Sequence, residues 1–596
     1  MNNEPPVQSK VGEFKLPFDL IEPPKDHDHL DLNNCGIYRI LPPDGKKEAE
    51  KNPYLLDYLH MIPIETIGIP RLVTKLDRKL NETKAPNFIY PAGDEIYIHI
   101  YGDVNDVRNY YIPVEQHFVV DINEYLPVVE ERLVDMVSGY TPGSLEERQA
   151  ILKECLHKIC VIDDKKKPKA ARKKSNVPFA SLFAKKEGGR TVNLTQNEYN
   201  ALEYYIMREK VGMGLLEPVI KDKNIEDITC DGYGPIFLEH KVFKGLKTAI
   251  EFSQQDLNKF VLQLSEKIGK PITFASPIVD ATLPDGSRIN IVYGDDVSKR
   301  GSNFTIRKFS DKPLSLLTLI ASNTMDFNMA AYLWIMLQEG MSMFVSGETA
   351  SGKTTTLNAI MAFIPPTAKI VSIEDTAEVQ VPHKNWTREI TRGGGKGTSA
   401  SEVGMFDLLK AALRQRPNYI VVGEIRGVEG AVAFQAIQTG HPVLSTFHAA
   451  SVEKLIQRLT GDPINIPKTY VDNLNLVLIQ SAVKRPDGKT VRRVLSINEI
   501  VGYNPQTKGF SYVEAFSWDP VTDTFTFKGN GSSYLLEQKV ARSLGIPSHK
   551  TKIIYDEIEK RAKILRKINE SKMTDYYDFY NMVVKIEKRG LLKMEV

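Results

Sequence analysis

Cysteine is scarce in this sequence. There are four in 596 residues (Cys35, Cys155, Cys160 and Cys230), with no C-x-x-C pair and no histidine at matching spacing. That argues against a zinc ribbon and a disulfide framework and leaves reduced, buried thiols as the expectation. Neither sign of charge is in excess: the net charge is +2, so no overall basic field argues for nucleic acid, and such a partner would need a local patch. Long apolar runs are missing too. The most apolar stretches, 314–321 and 329–337, are separated by Asn323, Asp326 and Asn328, too soon for a membrane-spanning helix. Residues 1–10 are polar with no apolar core region, so no signal peptide is expected and the chain is assigned to the cytoplasm.

The composition, 42% hydrophobic and 26% charged, is that of a globular protein, and the length implies about three or four cores. The chain is organised around Gly347-Glu348-Thr349-Ala350-Ser351-Gly352-Lys353-Thr354, which fits G-x-x-x-x-G-K-[ST]. In this pattern backbone N–H groups cradle phosphates, the lysine reaches the outer ones and the hydroxyl serves magnesium. Its context agrees. Met343-Phe344-Val345 reads as a short buried strand and 354–363 as the following helix, whose N-terminus would face the anion. Candidate nucleotide contacts are therefore Gly347 through Thr354, with Thr355 next in line.

Around this loop strands and helices alternate. Strands are expected at 343–345, 369–373, 419–422 and 443–446, and helices at 354–363, 405–414, 428–438 and 452–459. Sheets of this kind bind ligands at the carboxyl ends of their strands, and the charged residues fall there. Glu374, Asp375 and Glu378 follow the second strand, where a carboxylate can orient a water in line with a γ-phosphate; Glu374 is the candidate base. The strand at 419–422 ends in Gly423-Glu424, and Glu424 can hold magnesium through a water. Arg426 adds a cation on the same edge. His441 and His448 flank a later strand; they could sense the γ-phosphate or pass that signal across a subunit boundary, and as a zinc pair they lack further ligands.

Before the core, residues 1–85 carry many prolines and few periodic stretches and are expected to form a partly ordered arm. Strands near 95–101 and 110–114 and helices at 126–137 and 144–160 form a small α/β accessory domain, in which His99 and His157 read as surface or satisfied histidines. Residues 165–174 hold seven positive charges in ten residues. That run is read as an extended spacer, with contact to anionic lipid or nucleic acid as the alternative. A second α/β domain over 191–309 ends with Arg288, Arg300 and Arg307 projected from strands, where guanidinium forks suit a phosphate.

These motifs in combination resemble the hexameric secretion ATPases of type II secretion and type IV pilus assembly, especially the archaeal pilus and archaellum branch, over about Tyr199 to Pro547. The resemblance rests on the phosphate loop, Ile373-Glu374-Asp375, Gly423-Glu424-Ile425-Arg426 and the histidine box from His441 to His448. It implies an α/β fold with a RecA-like P-loop core, preceded by a smaller PAS-like α/β domain and followed by a C-terminal β-meander plus helices. The corresponding boundaries are an accessory domain at 1–160, a basic linker at 161–190, the PAS-like half at 191–312, the ATPase core at 313–470 and a C-terminal extension at 471–596.

By the same resemblance ATP and Mg2+ are the ligands, Lys353 and Thr354 bind phosphate and magnesium, Glu374 activates water, Glu424 organises the metal through a water, and His448 reports on the γ-phosphate. Arg288, Arg300 and Arg307 match arginines of a domain that closes over the nucleotide; which of them acts across an interface is left open. The implied partners are five further copies in a homohexamer, a polytopic membrane platform protein and, indirectly, pilin-like subunits, with no nucleic acid expected. The implied location is peripheral at the inner face of the cell membrane. The four-cysteine zinc module of many bacterial relatives is absent, and strands after Leu474 take its place. The alternatives are a DNA-translocating ring ATPase, which the basic run favours and the near-neutral charge disfavours, and a nucleotide-gated scaffold that binds without turnover.

Overall fold

The computed structural model describes residues 13–21, 35–93, 95–103, 106–140, 143–163, 191–309, 312–392, 403–485, 488–506 and 509–590. The polar residues 1–10 and the basic run at 165–174 lie outside them. The chain divides into two compact units, Met1–Phe309 and Ser310–Val596.

In the first unit, the strands expected in an accessory domain and those expected in the PAS-like domain share one sheet. Antiparallel pairings link Ile278–Thr282, Arg288–Val292, Asn303–Arg307, Ile225–Cys230, Gly234–His240 and Lys244–Phe252 in that order. Lys244–Phe252 then pairs in parallel with Tyr110–Val114, which continues to Tyr97–Tyr101 and Asn87–Pro91. Within the stretch to residue 85 expected to form a partly ordered arm, the described residues include regular helices. Helices Gly36–Ile40, Pro43–Lys51, Tyr54–Met61 and Ile64–Ile67 bury Leu55, Leu56, Tyr58 and Leu59 against Ile89, Tyr97 and Val114. The prolines that suggested irregular chain, Pro42, Pro43, Pro53 and Pro63, stand at helix N-termini, where a missing N–H costs no helical bond. His99 is a satisfied core histidine, bonded to Tyr58 through Nδ1 at 2.8 Å and to Asn87 through Nε2 at 2.8 Å. All four cysteines are buried and free.

In the second unit a nine-stranded sheet is formed by β1 (Met343–Gly347), β2 (Ile370–Glu374), β3 (Trp386–Ile390), β4 (Tyr419–Glu424), β5 (Val443–Phe447), β6 (Leu476–Lys484), β7 (Thr490–Asn504), β8 (Gly509–Asp519) and β9 (Thr524–Phe527). Its spatial order is β3-β2-β4-β5-β1-β6-β7-β8-β9. From β3 to β6 the pairing is parallel; from β6 to β9 it is an antiparallel meander. Strands β1, β2 and β5 are buried along their whole length, which is why they read as continuous apolar runs rather than alternating ones.

Helices α1 (Phe327–Gln338), α2 (Lys353–Ile360), α3 (Met405–Arg414), α4 (Glu429–Gln438) and α5 (Val452–Thr460) cover the sheet, followed by α6 (Ile553–Glu570) and α7 (Tyr576–Lys588). Residues 329–337 of α1 are all buried, and its start is fixed by the Asp326 side chain accepting from the Met329 N–H at 2.8 Å. The stripe Ile554, Ile558, Leu565 and Ile568 of α6, with Tyr576 and Phe579 of α7, packs into the same core as α1 and α2. Each such side chain contributes roughly 1.5–3 kcal/mol by leaving water. Among the described residues no helix is long and apolar enough to cross a membrane.

Candidate functional site

The site forms where β1, β2, β4 and β5 reach their carboxyl ends. Strand β1 stops at Gly347, where an added Cβ would lie 2.0 Å from the Gln480 carbonyl oxygen on β6, so only glycine lets the chain turn there. Ala350 holds φ at 61°, a conformation a non-glycine residue rarely adopts and one that marks a constrained turn. The loop's carbonyls are taken from within the protein. Ser351 Oγ and Lys353 Nζ donate to Glu348 O at 2.8 and 2.9 Å, Gln480 Nε2 donates to Ser351 O at 2.9 Å, and Arg492 Nε donates to Ala350 O at 3.1 Å. The first bond along α2 runs from Thr356 N–H to Gly352 O at 2.9 Å. The amides of Thr354 and Thr355 precede it, and amides so placed at a helix N-terminus favour an anion.

Glu374 ends β2 and is 1% exposed. Its Oε1 accepts from the backbone N–H groups of Glu378 at 2.8 Å and Val379 at 2.6 Å. Oε2 makes no hydrogen bond; the Arg388 guanidinium stands 3.5 Å from it. Burial pushes the carboxyl up to about 7, against the pull of the two amides and Arg388. The neighbouring strand makes room: a Cβ on Gly423 would meet Glu374 Cγ at 3.0 Å. Glu378, four residues on, turns its Oε2 toward the Thr354 hydroxyl at 3.4 Å.

Glu424 ends β4, with Oε2 2.6 Å from Arg426 Nη2 and Oε1 2.8 Å from His448 Nε2. His448 follows β5, and its Nδ1 faces Lys353 Nζ at 3.4 Å. Burial, together with the charges of Lys353, Arg426 and Arg458, lowers its pKa, while Glu424 opposes them. His441 lies at the other end of β5, bonded to Thr439 Oγ1 at 3.1 Å, so the two histidines are not one site.

Of the residues expected from sequence, the structure brings together the loop Gly347–Thr354, Glu374, Glu424 and His448. The three arginines belong to the first unit. Arg288 and Arg307 are register partners on adjacent strands and so share a face, with Arg307 Nε 4.0 Å from Asp227. Arg300 corrects the expectation: it sits in the turn before Asn303–Arg307 rather than on a strand, and its carbonyl accepts from Tyr233 N–H at 3.1 Å. Sequence reasoning missed Gln480 and Arg492 behind the loop, Arg388 beside Glu374, and Asn358 on α2. Gln480, a lone polar residue ending the apolar run 476–479, was the one with a readable signal.

The oxygen donors here suit a hard cation. Among the described residues no three His, Cys, Asp or Glu are clustered for a metal. A hydroxyl such as Thr354, one carboxylate, waters and substrate phosphates are the ligand set magnesium takes in nucleotide sites. The orphaned, buried Glu374 Oε2 suits a bound water.

Comparison with known proteins gives four findings. The profile of the family described as "Type II/IV secretion system protein" matches residues 209–509. An uncharacterized protein of Methanocaldococcus jannaschii is 44% identical over 549 residues, 92% of this chain and 97% of that one. The probable conjugal transfer protein TrbB of Sinorhizobium fredii is 29% identical over 286 residues, 47% of this chain and 85% of that one. Among solved structures, the pilus retraction motor PilT with bound ADP aligns over 49% of this chain and 84% of its own, at 20% identity and a TM-score of 0.35.

Proposed function

Because this chain belongs to the type II/IV secretion system protein family, we propose that it is an ATP hydrolase. In this reading a ring of six subunits drives a polytopic membrane platform protein that inserts or releases pilin-like subunits of a pilus, archaellum or type II secretion-like machine. The chain then works at the inner face of the membrane without crossing it. The observation that carries the reading is Glu374: a buried carboxylate oriented by two backbone amides, with one oxygen left without a hydrogen bond and a pKa near neutrality.

Lys353 and the amides around it bind the outer phosphates of ATP. Thr354, and Glu424 through a water, would hold magnesium, which when bound draws charge off those phosphates. Glu374 orients the attacking water and takes its proton, for which a pKa near the working pH is suited. Glu424, fixed between His448 and Arg426, ties the end of β4 to the end of β5 and to Lys353, a route by which the presence of the γ-phosphate is felt at His448. Arg288, Arg300 and Arg307 are the proposed candidates for completing the charge stabilisation, one of them from a neighbouring subunit. An arginine supplied that way is worth roughly 10³ to 10⁵ in rate, so turnover rises with assembly.

The test is Glu374→Gln, which should leave nucleotide binding intact and slow phosphate release roughly 10²- to 10⁴-fold to a small residual rate. Normal turnover in that variant would remove Glu374 from the role. A second reading, a DNA-translocating ring, is favoured by the relative named for conjugal transfer and is chosen if DNA stimulates turnover.

A further inference from the structure

Residues 378–380, downstream of Glu374, belong to no helix or strand, yet their amides set the carboxylate. The N–H groups of Glu378 and Val379 hold Glu374 Oε1. The rest of that backbone is held by one side chain: Asn358 of α2 donates from Nδ2 to Glu378 O at 3.0 Å and accepts at Oδ1 from Gln380 N–H at 3.2 Å. This is the two-point pairing a neighbouring strand would give, supplied instead from the helix that follows the phosphate loop. Tyr576, buried at the start of α7, closes the arrangement, its hydroxyl 2.9 Å from Asn358 O and 3.4 Å from Gln380 O.

We propose that Asn358 and Tyr576 are positioning residues for Glu374, and that through Tyr576 the C-terminal helix α7 governs how the carboxylate is aimed at its water. Val379 and Val381 also anchor the segment in the core, but apolar burial is non-directional and does not orient an amide. The hydrogen bonds of Asn358 do. Tyr576 bonds the backbone of both α2 and the segment, so a shift of α7 reaches phosphate loop and carboxylate together. Asp575, the cap of α7, accepts from Tyr577 N–H at 2.9 Å and Asp578 N–H at 3.1 Å and pairs with Lys312 at 3.0 Å, which fixes the end of the helix that carries Tyr576.

The inference rests on Glu374 being the water-activating base, and the experiment separates the two. ATP turnover and nucleotide affinity are measured on the purified full chain carrying Tyr576→Phe, Asn358→Ala, Glu374→Gln and the doubles with Glu374→Gln. Tyr576→Phe removes a single oxygen and keeps the ring, so it remains informative should Asn358→Ala fail to fold. Each single positioning variant should lower kcat roughly tenfold, the scale of one lost oriented hydrogen bond, and leave KM and the affinity for ADP within about twofold. In the Glu374→Gln background neither should lower the residual rate further, because residues acting through one group are not additive. Wild-type kcat in Tyr576→Phe and Asn358→Ala, an equal loss of affinity and kcat, or an undiminished loss in the Glu374→Gln background would each overturn the positioning role. Normal turnover in Glu374→Gln would overturn the underlying reading itself.

Discussion

His448 stands with Nε2 2.8 Å from Oε1 of Glu424, while its Nδ1 faces Lys353 Nζ at 3.4 Å. A lysine ammonium only donates, so Nδ1 accepts and the ring proton sits on Nε2, on the side of Glu424, whose Oε1 makes no hydrogen bond. The histidine thus works neutral, in keeping with its lowered pKa. His448→Ala should lower kcat roughly 10- to 100-fold, the usual cost of losing a group that orients a metal-side ligand. ADP binding, measured by calorimetry, should persist.

Gly423 is where β4 yields space to Glu374. A methyl at that position meets Glu374 Cγ at 3.0 Å, so Gly423→Ala should shift the carboxylate by a fraction of an ångström. Displacements of that order cost up to about 10² in rate, and the loss should appear in kcat rather than in KM for ATP.

The raised pKa of Glu374 gives two pH signatures. As the base it must be ionised, so kcat should climb as pH rises through about 7. For stability the sign is opposite: the folded chain holds this proton more tightly than the unfolded chain, whose carboxyl titrates near 4.5. Its contribution to stability is full below that pH and is lost as pH rises toward 7. Relative to wild type, Glu374→Gln should therefore gain on the order of 3 kcal/mol between pH 4.5 and 8 in denaturant unfolding.

Arg493 is buried at the base of the meander and forks onto Asp523, Nε to Oδ1 at 2.7 Å and Nη2 to Oδ2 at 2.8 Å, and it also bonds Ser322 O at 3.0 Å. The Arg493 hydrogen bond holds the Asp523 carboxyl well below the usual carboxylate range. Asp523→Asn strips the charge and leaves the guanidinium buried, and should cost about 2–3 kcal/mol in denaturant unfolding, with no effect on nucleotide affinity.

Much of this was legible because burial leaves a one-dimensional trace. Strands β1, β2, β4 and β5 are apolar runs ending in Gly347, Glu374, Glu424 and His448, so the strand ends announced the site. Edge strand β3 did not, since Trp386-Thr387-Arg388-Glu389-Ile390 is largely polar and only half-buried. Helices at 36–67 were hidden by prolines that cap rather than break them. The partners of Gln480, Arg492 and Tyr576 were hidden for a different reason: these residues lie 129, 142 and 218 positions from Ser351, Ala350 and Asn358. No local pattern connects residues that only the fold brings together.

The most direct measurement is phosphate release by the purified chain with ATP and magnesium, beside Lys353→Ala, across a range of protein concentrations. The account predicts many turnovers per chain in the wild type, a specific rate that rises with concentration, and none in Lys353→Ala. Fewer than one phosphate per chain, or equal rates in the two proteins, would contradict it.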